Sequence, residues 1–243
     1  MTRFFCASQN ISHDEIKLDN PQDLHHIRDV LRLKILDKLE VFDEKGNGHL
    51  CSIKKIAAGE IILTIKEKKY FCAKNRGVSI TVACAIPKKS IMDDIIDKLT
   101  QLGVEKIIPL ETHRVVVRLT PEKKAERLKR WRKIAQAASK QCQRSSQPVI
   151  EPVKSLEEVL ATAGNYDLKL IPTLKGERRQ LKDLIKSRKP VNVLIFIGPE
   201  GDFSVQEVES AVSKGCISVS LGELVLRVDT AVIAVVSHLK LSY

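Results

Sequence analysis

After residue 77, the spacing of apolar residues switches repeatedly between strand-like and helix-like patterns, and this alternation limits the fold more than any other feature. The run VSITVACAIP is continuously apolar, which predicts a strand buried on both faces. In the next run, KKSIMDDIIDKLTQLG, apolar residues recur at helical spacing until Gly103. Strand-like and helix-like runs continue to alternate towards residue 243. The pattern predicts an α/β domain whose parallel sheet is covered by helices on both faces.

The first 72 residues follow a different pattern. LEVFDEKGNGHLCSIKKIAAGEIILTIKEKKYF predicts three strands, with turns at Gly46-Asn47-Gly48 and Ala58-Gly59-Glu60. DLHHIRDVLRLK predicts one short helix ahead of them. We therefore expect a small, barrel-like β domain over residues 1–72 and an α/β domain over 73–243, with the boundary in the polar stretch near 70–76.

The charge of the chain favours a polyanionic partner such as RNA. The formal net charge is +11, although a basic protein need not bind nucleic acid. A helix predicted over 121–144 holds nine lysines and arginines against two glutamates, so RNA contact competes with a purely solvated face. Only 4% of the residues are aromatic, which argues against a base-stacking surface. The candidate RNA-binding residues are Arg3, His25, Arg28, Arg32, Lys129, Arg130, Arg132, Gln141 and Arg144.

The cysteines predict neither a metal site nor a disulfide framework. The six lie at positions 6, 51, 72, 84, 142 and 216, without a C-x-x-C pair, so we expect buried, reduced thiols. No apolar run approaches the ~20 residues that a membrane span needs. The first residues also lack an apolar signal core of ~7–15 residues, and we expect a cytoplasmic protein.

Two loops in the second half carry unusual residues. IFIGPEGDFS, residues 195–204, places a glycine turn after a buried strand but matches neither G-x-G-x-x-G nor a P-loop, so it is either a connector or a ligand loop without phosphate chemistry. Ser204 and Glu207 predict a capping box for the helix that follows. LGELVLRVDTA, residues 221–231, puts Arg227 beside an apolar triplet, while Asp229 or Thr230 could serve only as a helix cap.

These motifs, together with KLTQLGVEKIIPL and QCQRSSQP, resemble the RsmE family of ribosomal small-subunit RNA uridine-N3 methyltransferases in the SPOUT superfamily. RFF at 3–5 and HHIRDVLRLK at 25–34 extend the resemblance over nearly the whole chain. It implies a PUA-like RNA-binding domain, a SPOUT domain with a C-terminal trefoil knot, a homodimer and the cofactor S-adenosylmethionine (AdoMet). It also implies methylation of uridine N3 in 16S rRNA, in the decoding region near the 3′ end, with rRNA or the assembled small subunit as partner.

The resemblance also implies where the site lies. The implied cofactor-binding residues are Ile171, Pro172, Gly198, Pro199, Glu200, Gly201, Leu221, Gly222, Leu224, Val225, Leu226 and Thr230. Arg227 is the candidate that stabilises the developing uridine anion, and Asp229 the candidate that orients Arg227 or takes the proton. The chain departs from the family pattern at two places: Val228-Asp229 replaces Thr-Glu, and Asp202 replaces the second glycine of EGG.

Two other functions compete with this interpretation. One is a SPOUT methyltransferase that acts on another RNA, such as the ribose of tRNA. The other is an RNA-binding ribosome assembly factor without catalytic activity. AdoMet binding separates the assembly factor from the two enzymes, and mapping of the methylated nucleotide separates the enzymes from each other.

Overall fold

The computed structural model describes residues 3–43, 47–70, 77–115, 119–142, 144, 146–186 and 189–243. The chain forms two compact units. The first contains Met1–Lys74 together with Ser139–Gln147, and the second contains Asn75–Ala138 together with Pro148–Tyr243. Several residues named in the sequence analysis lie outside the described residues, namely Gly46, Cys72 and most of the expected domain boundary.

The first unit is built on a curled, mainly antiparallel sheet. Its described strands are β1 (Arg3–Phe5), β2 (Glu15–Leu18), β3 (Lys38–Phe42), β4 (Asn47–Ile56) and β5 (Ile61–Tyr70). They follow the spatial order β1-β3-β4-β5-β2, in which only the β1–β3 pair is parallel among the described strands. Two register shifts interrupt the β4–β5 pair and add to its twist.

The turns and the helix of this unit differ in detail from the prediction. The hairpin between β4 and β5 closes with a hydrogen bond from Ala57 N to Glu60 O at 2.9 Å, as the second predicted turn requires. Of the first predicted turn, Gly46 lies outside the described residues, and Asn47 and Gly48 belong to β4. The predicted short helix is split into α1 (Pro21–His25) and one turn of π-helix over His26–Val30.

The second unit contains an eight-stranded sheet in the described part of the chain, and every described pair in it is parallel. The spatial order is β11-β13-β10-β12-β6-β7-β8, and β9 also pairs with β7. The strands are β6 (Ser79–Ala85), β7 (Lys106–Glu111), β8 (Val149–Ile150), β9 (Lys154–Ser155), β10 (Leu168–Pro172), β11 (Arg179–Gln180), β12 (Asn192–Ile197) and β13 (Ile217–Ser220). The later helices are α2 (Ile91–Gln101), α3 (Pro121–Gln141), α4 (Leu156–Ala161), α5 (Leu181–Lys186), α6 (Val205–Ser213) and α7 (Val228–Ser242). The predicted parallel α/β fold is confirmed.

Alternating residues of the central strands enter two separate cores. Val82 and Ile195 pack with residues of α2 and α7 in one cluster. Ala83 and Phe196, one position further along, pack with residues of α4 and α6 in another. Because successive side chains of a strand point to opposite faces, both faces must be apolar. This explains the continuous apolar runs that the sequence shows at β6 and β12.

Helix α6 begins with the predicted capping box. Ser204 N donates to Glu207 Oε2 at 2.7 Å, and Glu207 N donates to Ser204 Oγ at 3.2 Å. Glu207 is buried, and its Oε1 also accepts a hydrogen bond from His113 N at 2.8 Å, just after β7. The start of α6 is therefore attached to the neighbouring loop by the same carboxylate.

Helix α7 begins earlier than its sequence suggests. Its N-cap is Arg227, which makes no side-chain capping bond, so neither Asp229 nor Thr230 caps the helix. Both residues lie in its first turn, where Asp229 is favoured by the positive end of the helix dipole. Among the described residues, no helix combines the length and the apolar character needed to cross a bilayer.

Candidate active site

A cavity of about 240 Å³ lies at the carboxyl ends of β10, β12 and β13 in the second unit. These strands are neighbours in the sheet, so the loops that follow them meet at one edge. The first loop (172–178) contributes Pro172, Thr173, Leu174 and Arg178. The end of β12 and the second loop (198–204) contribute Ile197, Gly198, Pro199, Glu200 and Asp202. The end of β13, the third loop (221–227) and the start of α7 contribute Ser220, Leu221, Gly222, Leu224, Val225, Leu226, Arg227, Val228 and Ala231.

The second loop is a compact turn that depends on a residue without a side chain at position 198. A Cβ on Gly198 would lie 3.1 Å from two ring carbons of the buried Phe203. The turn is closed by a hydrogen bond from Asp202 N to Pro199 O at 2.9 Å. On its outer side, Arg114 donates to the carbonyl oxygen of Gly201 at 3.0 Å. Contacts within the protein thus hold the loop in place.

The third loop presents an apolar surface to the cavity. Leu224 and Val225 line the cavity, yet 81% and 74% of their surfaces are exposed. Gly222 takes a φ of 130°, a conformation that favours glycine, and its N–H donates to Ser220 Oγ at 3.3 Å. Exposed apolar side chains beside a cleft are typical of a ligand surface.

Opposite charges line different parts of the cavity. Glu200 and Asp202 belong to the second loop, and Glu200 Oε1 accepts a hydrogen bond from Lys88 N at 3.1 Å. Arg178 and Arg227 belong to the first and third loops. The cavity can therefore accommodate a ligand that carries a cationic group, an anionic group and an apolar part.

Arg227 and Asp229 form a loose ion pair at the entrance to α7. The Nε atom of Arg227 lies 3.5 Å from Oδ1 of Asp229, and 73% of the arginine side chain is exposed. This distance is too long for a good hydrogen bond. Oδ1 is buried and has no hydrogen-bond partner among the described residues. The pair leaves a guanidinium exposed to the cleft and a carboxylate oxygen that can still accept a proton or a hydrogen bond.

Most of the predicted cofactor residues lie together on this cavity. The exceptions are Ile171, Gly201 and Thr230. Ile171 is buried inside the sheet, Gly201 is exposed on the second loop, and Thr230 is exposed in the first turn of α7. Of the two predicted catalytic residues, Arg227 lines the cavity, whereas Asp229 does not line it and contacts Arg227.

Several lining residues were not identified from the sequence, and they are Thr173, Leu174, Arg178, Ile197, Asp202, Ser220, Val228 and Ala231. Thr173 and Leu174 directly follow the strand end that the sequence does indicate, so extending that loop by two residues finds them. Arg178 carries no such signal. It reaches the cavity because β11, only two residues long, pairs with β13.

Three of the predicted RNA-binding residues of the first unit, Arg3, His25 and Arg28, have protein partners. Arg3 Nε lies 2.7 Å from Glu40 Oε2, and His25 Nδ1 lies 2.6 Å from Asp29 Oδ2. Arg28 donates to the carbonyl oxygens of Ala57 and Ala58 at 3.3 and 3.0 Å. Arg32 is exposed and takes a φ of 52°. Gln141 is exposed at the end of α3, Arg144 is half-buried, and Gln143 lies outside the described residues.

Helix α3 presents its predicted cations in unequal environments. Arg130 lies 2.6 Å from Asp93 Oδ2, and the neighbouring Trp131, which is buried, donates to Oδ1 of the same carboxylate at 3.1 Å. Arg132 is exposed and makes a long contact of 3.4 Å with Ile150 O. Lys129 is exposed on the same helix.

Within the described ranges, no cluster of three or more His, Cys, Asp or Glu residues could hold a metal ion.

Comparison with known proteins assigns the two parts of the chain to related models. Residues 74–240 match the RNA methyltransferase domain, and residues 18–66 match the RNA methyltransferase PUA domain. Ribosomal RNA small subunit methyltransferase E from Rickettsia conorii is 30% identical over 242 residues, covering 98% of this chain and 95% of that protein. The protein of the same name from Bacillus subtilis is 28% identical and covers 95% and 93%.

Two solved structures share the fold over nearly the full length. The ribosomal RNA small subunit methyltransferase E from Neisseria gonorrhoeae, bound to S-adenosyl methionine, gives a TM-score of 0.83 at 26% identity, covering 99% of this chain and 97% of that chain. A methyltransferase from Legionella pneumophila, in complex with the bound cofactor SAM, gives 0.82 at 28% identity, with coverages of 99% and 98%. The α/β unit with the three-loop cavity matches the RNA methyltransferase domain and follows the PUA domain in sequence, so the protein is an RNA methyltransferase. The chain belongs to the ribosomal RNA small subunit methyltransferase E family.

Proposed function

We propose that this protein is an AdoMet-dependent methyltransferase that modifies N3 of one uridine in 16S rRNA, in the decoding region near the 3′ end. The observation that carries the proposal is the cavity at the carboxyl edge of the sheet, with an apolar surface and opposite charges on different loops. Family membership supports the reaction class. Three relatives that are named ribosomal RNA small subunit methyltransferase E support rRNA as the substrate.

The residues present fit AdoMet chemically. Leu224, Val225 and Leu226 offer an apolar surface for a purine, and the carboxylate of Glu200 suits a cationic or hydroxyl-bearing part. When bound, AdoMet supplies an activated methyl group on a positively charged sulfur. The glycine turn at 198 allows the backbone to approach a ligand closely.

The chain's own residues then have to activate the uridine. N3 of uridine carries a proton and becomes a good nucleophile only when that proton leaves. The exposed guanidinium of Arg227 is suited to stabilise the negative charge that develops on the base and its carbonyl oxygens. The buried Oδ1 of Asp229, which makes no hydrogen bond within the described residues, is available to orient Arg227 or to receive the proton. Positioning of the two reactants supplies much of the remaining acceleration.

The two parts of the chain have different roles in this proposal. Residues 1–72 form the RNA-binding domain, and residues 73–243 form the methyltransferase domain. Cations of α3 and of the first unit supply phosphate contacts.

The protein acts as a cytoplasmic homodimer on rRNA or on the assembled small subunit, and its C-terminal part contains the trefoil knot expected of the family. Apolar side chains such as Val205 and Leu241, 60% and 89% exposed, are available for a dimer interface. Light scattering of the purified protein tests the dimer.

Two measurements test the function. Calorimetry with AdoMet should show binding at micromolar cofactor, and absence of binding contradicts the enzymatic proposal. Purified small subunits and 16S rRNA are then incubated with methyl-labelled AdoMet and digested for mass spectrometry. We expect N3-methyluridine at one position; methylation of tRNA ribose instead would assign the enzyme to another substrate.

A further inference from the structure

The side chain of Asp202 joins two of the loops that form the cavity. Its Oδ2 accepts a hydrogen bond from Leu174 N at 2.8 Å, across 28 positions of sequence. Its Oδ1 accepts a second hydrogen bond from Phe203 N at 2.8 Å. Asp202 belongs to the second loop and Leu174 to the first, and both line the cavity. One carboxylate therefore helps to set the distance between these loops.

The hydrogen bond between the two loops depends on the side chain of Asp202, whereas the turn itself needs only a backbone that can adopt a positive φ. Asp202 takes a φ of 60°, which glycine adopts at less cost and which aspartate and asparagine tolerate better than most residues. A glycine, as in the family pattern, would keep the turn but would offer no acceptor to Leu174. The connection is thus a property of this chain.

The other hydrogen bonds of the first loop in the described residues attach it to β13 or to itself. Thr173 N donates to Val219 O at 3.2 Å, which attaches the start of the loop to β13. Thr173 Oγ1 donates to Lys175 O at 3.0 Å, and Arg178 donates to Thr173 O at 3.2 Å, so both bonds stay within the loop. Leu174, which is 45% exposed, lies between these anchors.

We propose that Asp202 is a positioning residue that holds the first loop in the orientation that binds the cofactor. The identity of the ligand rests on the proposed function, whereas the connection between the loops does not. If the loop is ordered only part of the time, apparent cofactor affinity falls in proportion to that fraction. Loss of the carboxylate should therefore act on cofactor binding and leave the methyl-transfer step nearly intact.

The first test compares Asp202→Gly with the unaltered protein. Glycine keeps the backbone conformation and removes both acceptors, so we expect the Kd and KM for AdoMet to rise about tenfold, or about 1.4 kcal/mol. The kcat at saturating AdoMet and the affinity for RNA should change by less than about twofold. Asp202→Asn, which also tolerates this backbone, replaces one acceptor oxygen by a donor and should shift AdoMet affinity in the same direction.

A matched control is available at the opposite edge of the sheet. Asp167 Oδ2 accepts hydrogen bonds from Val191 N and Asn192 N at 2.9 and 2.8 Å, just before β10 and β12 begin. Asp167→Ala removes comparable side-chain-to-backbone bonds far from the cavity, because alanine offers no side-chain acceptor. It should leave the KM for AdoMet unchanged. An equal rise in this control would assign the effect to general destabilisation and overturn the proposal.

The second test needs no cofactor. Trypsin can cut the first loop after Lys175 or Arg178, and both residues are exposed. In the absence of AdoMet, Asp202→Gly should accelerate cleavage at these sites about tenfold relative to sites elsewhere. Unchanged cleavage, or faster cleavage with unchanged AdoMet affinity, overturns the proposal. If the unaltered protein binds no AdoMet, the proposed function fails separately, and the trypsin result still decides whether Asp202 holds the loop.

Discussion

Arg227 is the residue on which the proposed chemistry depends most. Its guanidinium is largely exposed to the cleft and only loosely paired with Asp229. Arg227→Ala should lower kcat for methylation by about 100-fold or more, because the developing charge on the base loses its stabilising partner. The Kd for AdoMet should change by less than about threefold. Single-turnover methylation and calorimetry measure the two quantities.

Two variants control for the loss of a positive charge. Arg227→Lys keeps the charge but loses the planar guanidinium, so it should recover only part of the activity. Arg179→Ala removes an exposed arginine that does not line the cavity and should leave kcat unchanged. Full activity in Arg227→Ala would remove this residue from the mechanism.

Gly198 should tolerate no side chain. A Cβ there would lie 3.1 Å from the ring of Phe203 and 3.3 Å from its backbone nitrogen, so the loop or the ring must move. We expect Gly198→Ala to lower the free energy of unfolding by about 1–3 kcal/mol and to weaken AdoMet binding. Urea denaturation and calorimetry measure these effects. Gly164→Ala is the control, since its Cβ would meet no atom within 4 Å, and equal losses in both variants would contradict the steric argument.

Residues next to strand ends could be predicted from the sequence, whereas residues brought in by distant pairing could not. Gly198 and Leu224 stand in loops whose position follows from the alternation of strands and helices. Arg178 depends on the pairing of β11 with β13. The role of Asp202 depends on a contact with Leu174, 28 positions away in the sequence. The sequence itself shows only an acidic residue where the family pattern has a glycine.

At the scale of elements, helix α3 should supply part of the RNA affinity. Replacing Lys129, Arg130 and Arg132 by glutamine removes three cations from one helix. RNA binding should weaken, and its salt dependence should become shallower by about 0.7–0.9 in log–log slope for each lost phosphate contact. Arg130 should contribute least to this change, because it is already paired with Asp93. Filter binding over a range of salt concentrations measures the slope.

The control for α3 removes the same charge elsewhere. Lys182, Lys189 and Lys214 are exposed in the second unit and lie outside α3. Their replacement by glutamine lowers the net charge equally. If the two triple variants give the same slope, the effect comes from overall charge and α3 is a solvated face.

Long, strongly patterned elements were predicted well, and short ones were not. The runs that became β6, β12 and α2 carry enough apolar residues to reveal their period. The strands β8, β9 and β11 span two residues each, too few to show any period, and exist only through their parallel partners. The start of α7 was misplaced because Asp and Thr favour the cap position, while the structure places Arg227 there.

At the scale of the whole molecule, buried thiols should make the protein less stable in alkaline solution. Burial raises the pKa of Cys51 and Cys84 to about 12 and that of Cys216 to about 11. Unfolded thiols titrate near 8.5, so this stabilisation is complete below about pH 8.5 and is lost as pH rises towards the folded pKa values. The free energy of unfolding, measured in urea, should therefore fall between about pH 8.5 and 10.5.

Variants separate the thiols from other titrating groups. Cys84→Ala removes one fully buried thiol and should make the alkaline decline shallower, whatever its effect at neutral pH. Cys142 is only half-buried, and Cys142→Ala should leave the slope unchanged. Identical slopes in all three proteins would exclude Cys84 as a cause and assign the decline to other groups that titrate in this range, such as the lysines.

The division into a β-rich part and an α/β part follows from two different periods in the sequence. The spacing of apolar residues cannot show that Ser139–Gln147 belongs to the first compact unit, because this segment is far along the chain from Met1–Lys74. That assignment depends on contacts such as the one between Lys140 Nζ and Asp23 Oδ1 at 3.5 Å. Burial raises the pKa of Asp23, and Lys140 opposes this effect.

The carboxylate of Glu207 makes the effects of substitutions at positions 204 and 207 non-additive. It bonds Ser204 within the capping box and His113 outside it, so one side chain serves both a helix start and a separate loop. Ser204→Ala should therefore cost less in a chain that already lacks Glu207 than in the unaltered chain. Glu207→Ala should be the more harmful single change, since it also leaves His113 N without its acceptor. The cost of a substitution at 204 therefore depends on which residue occupies 207.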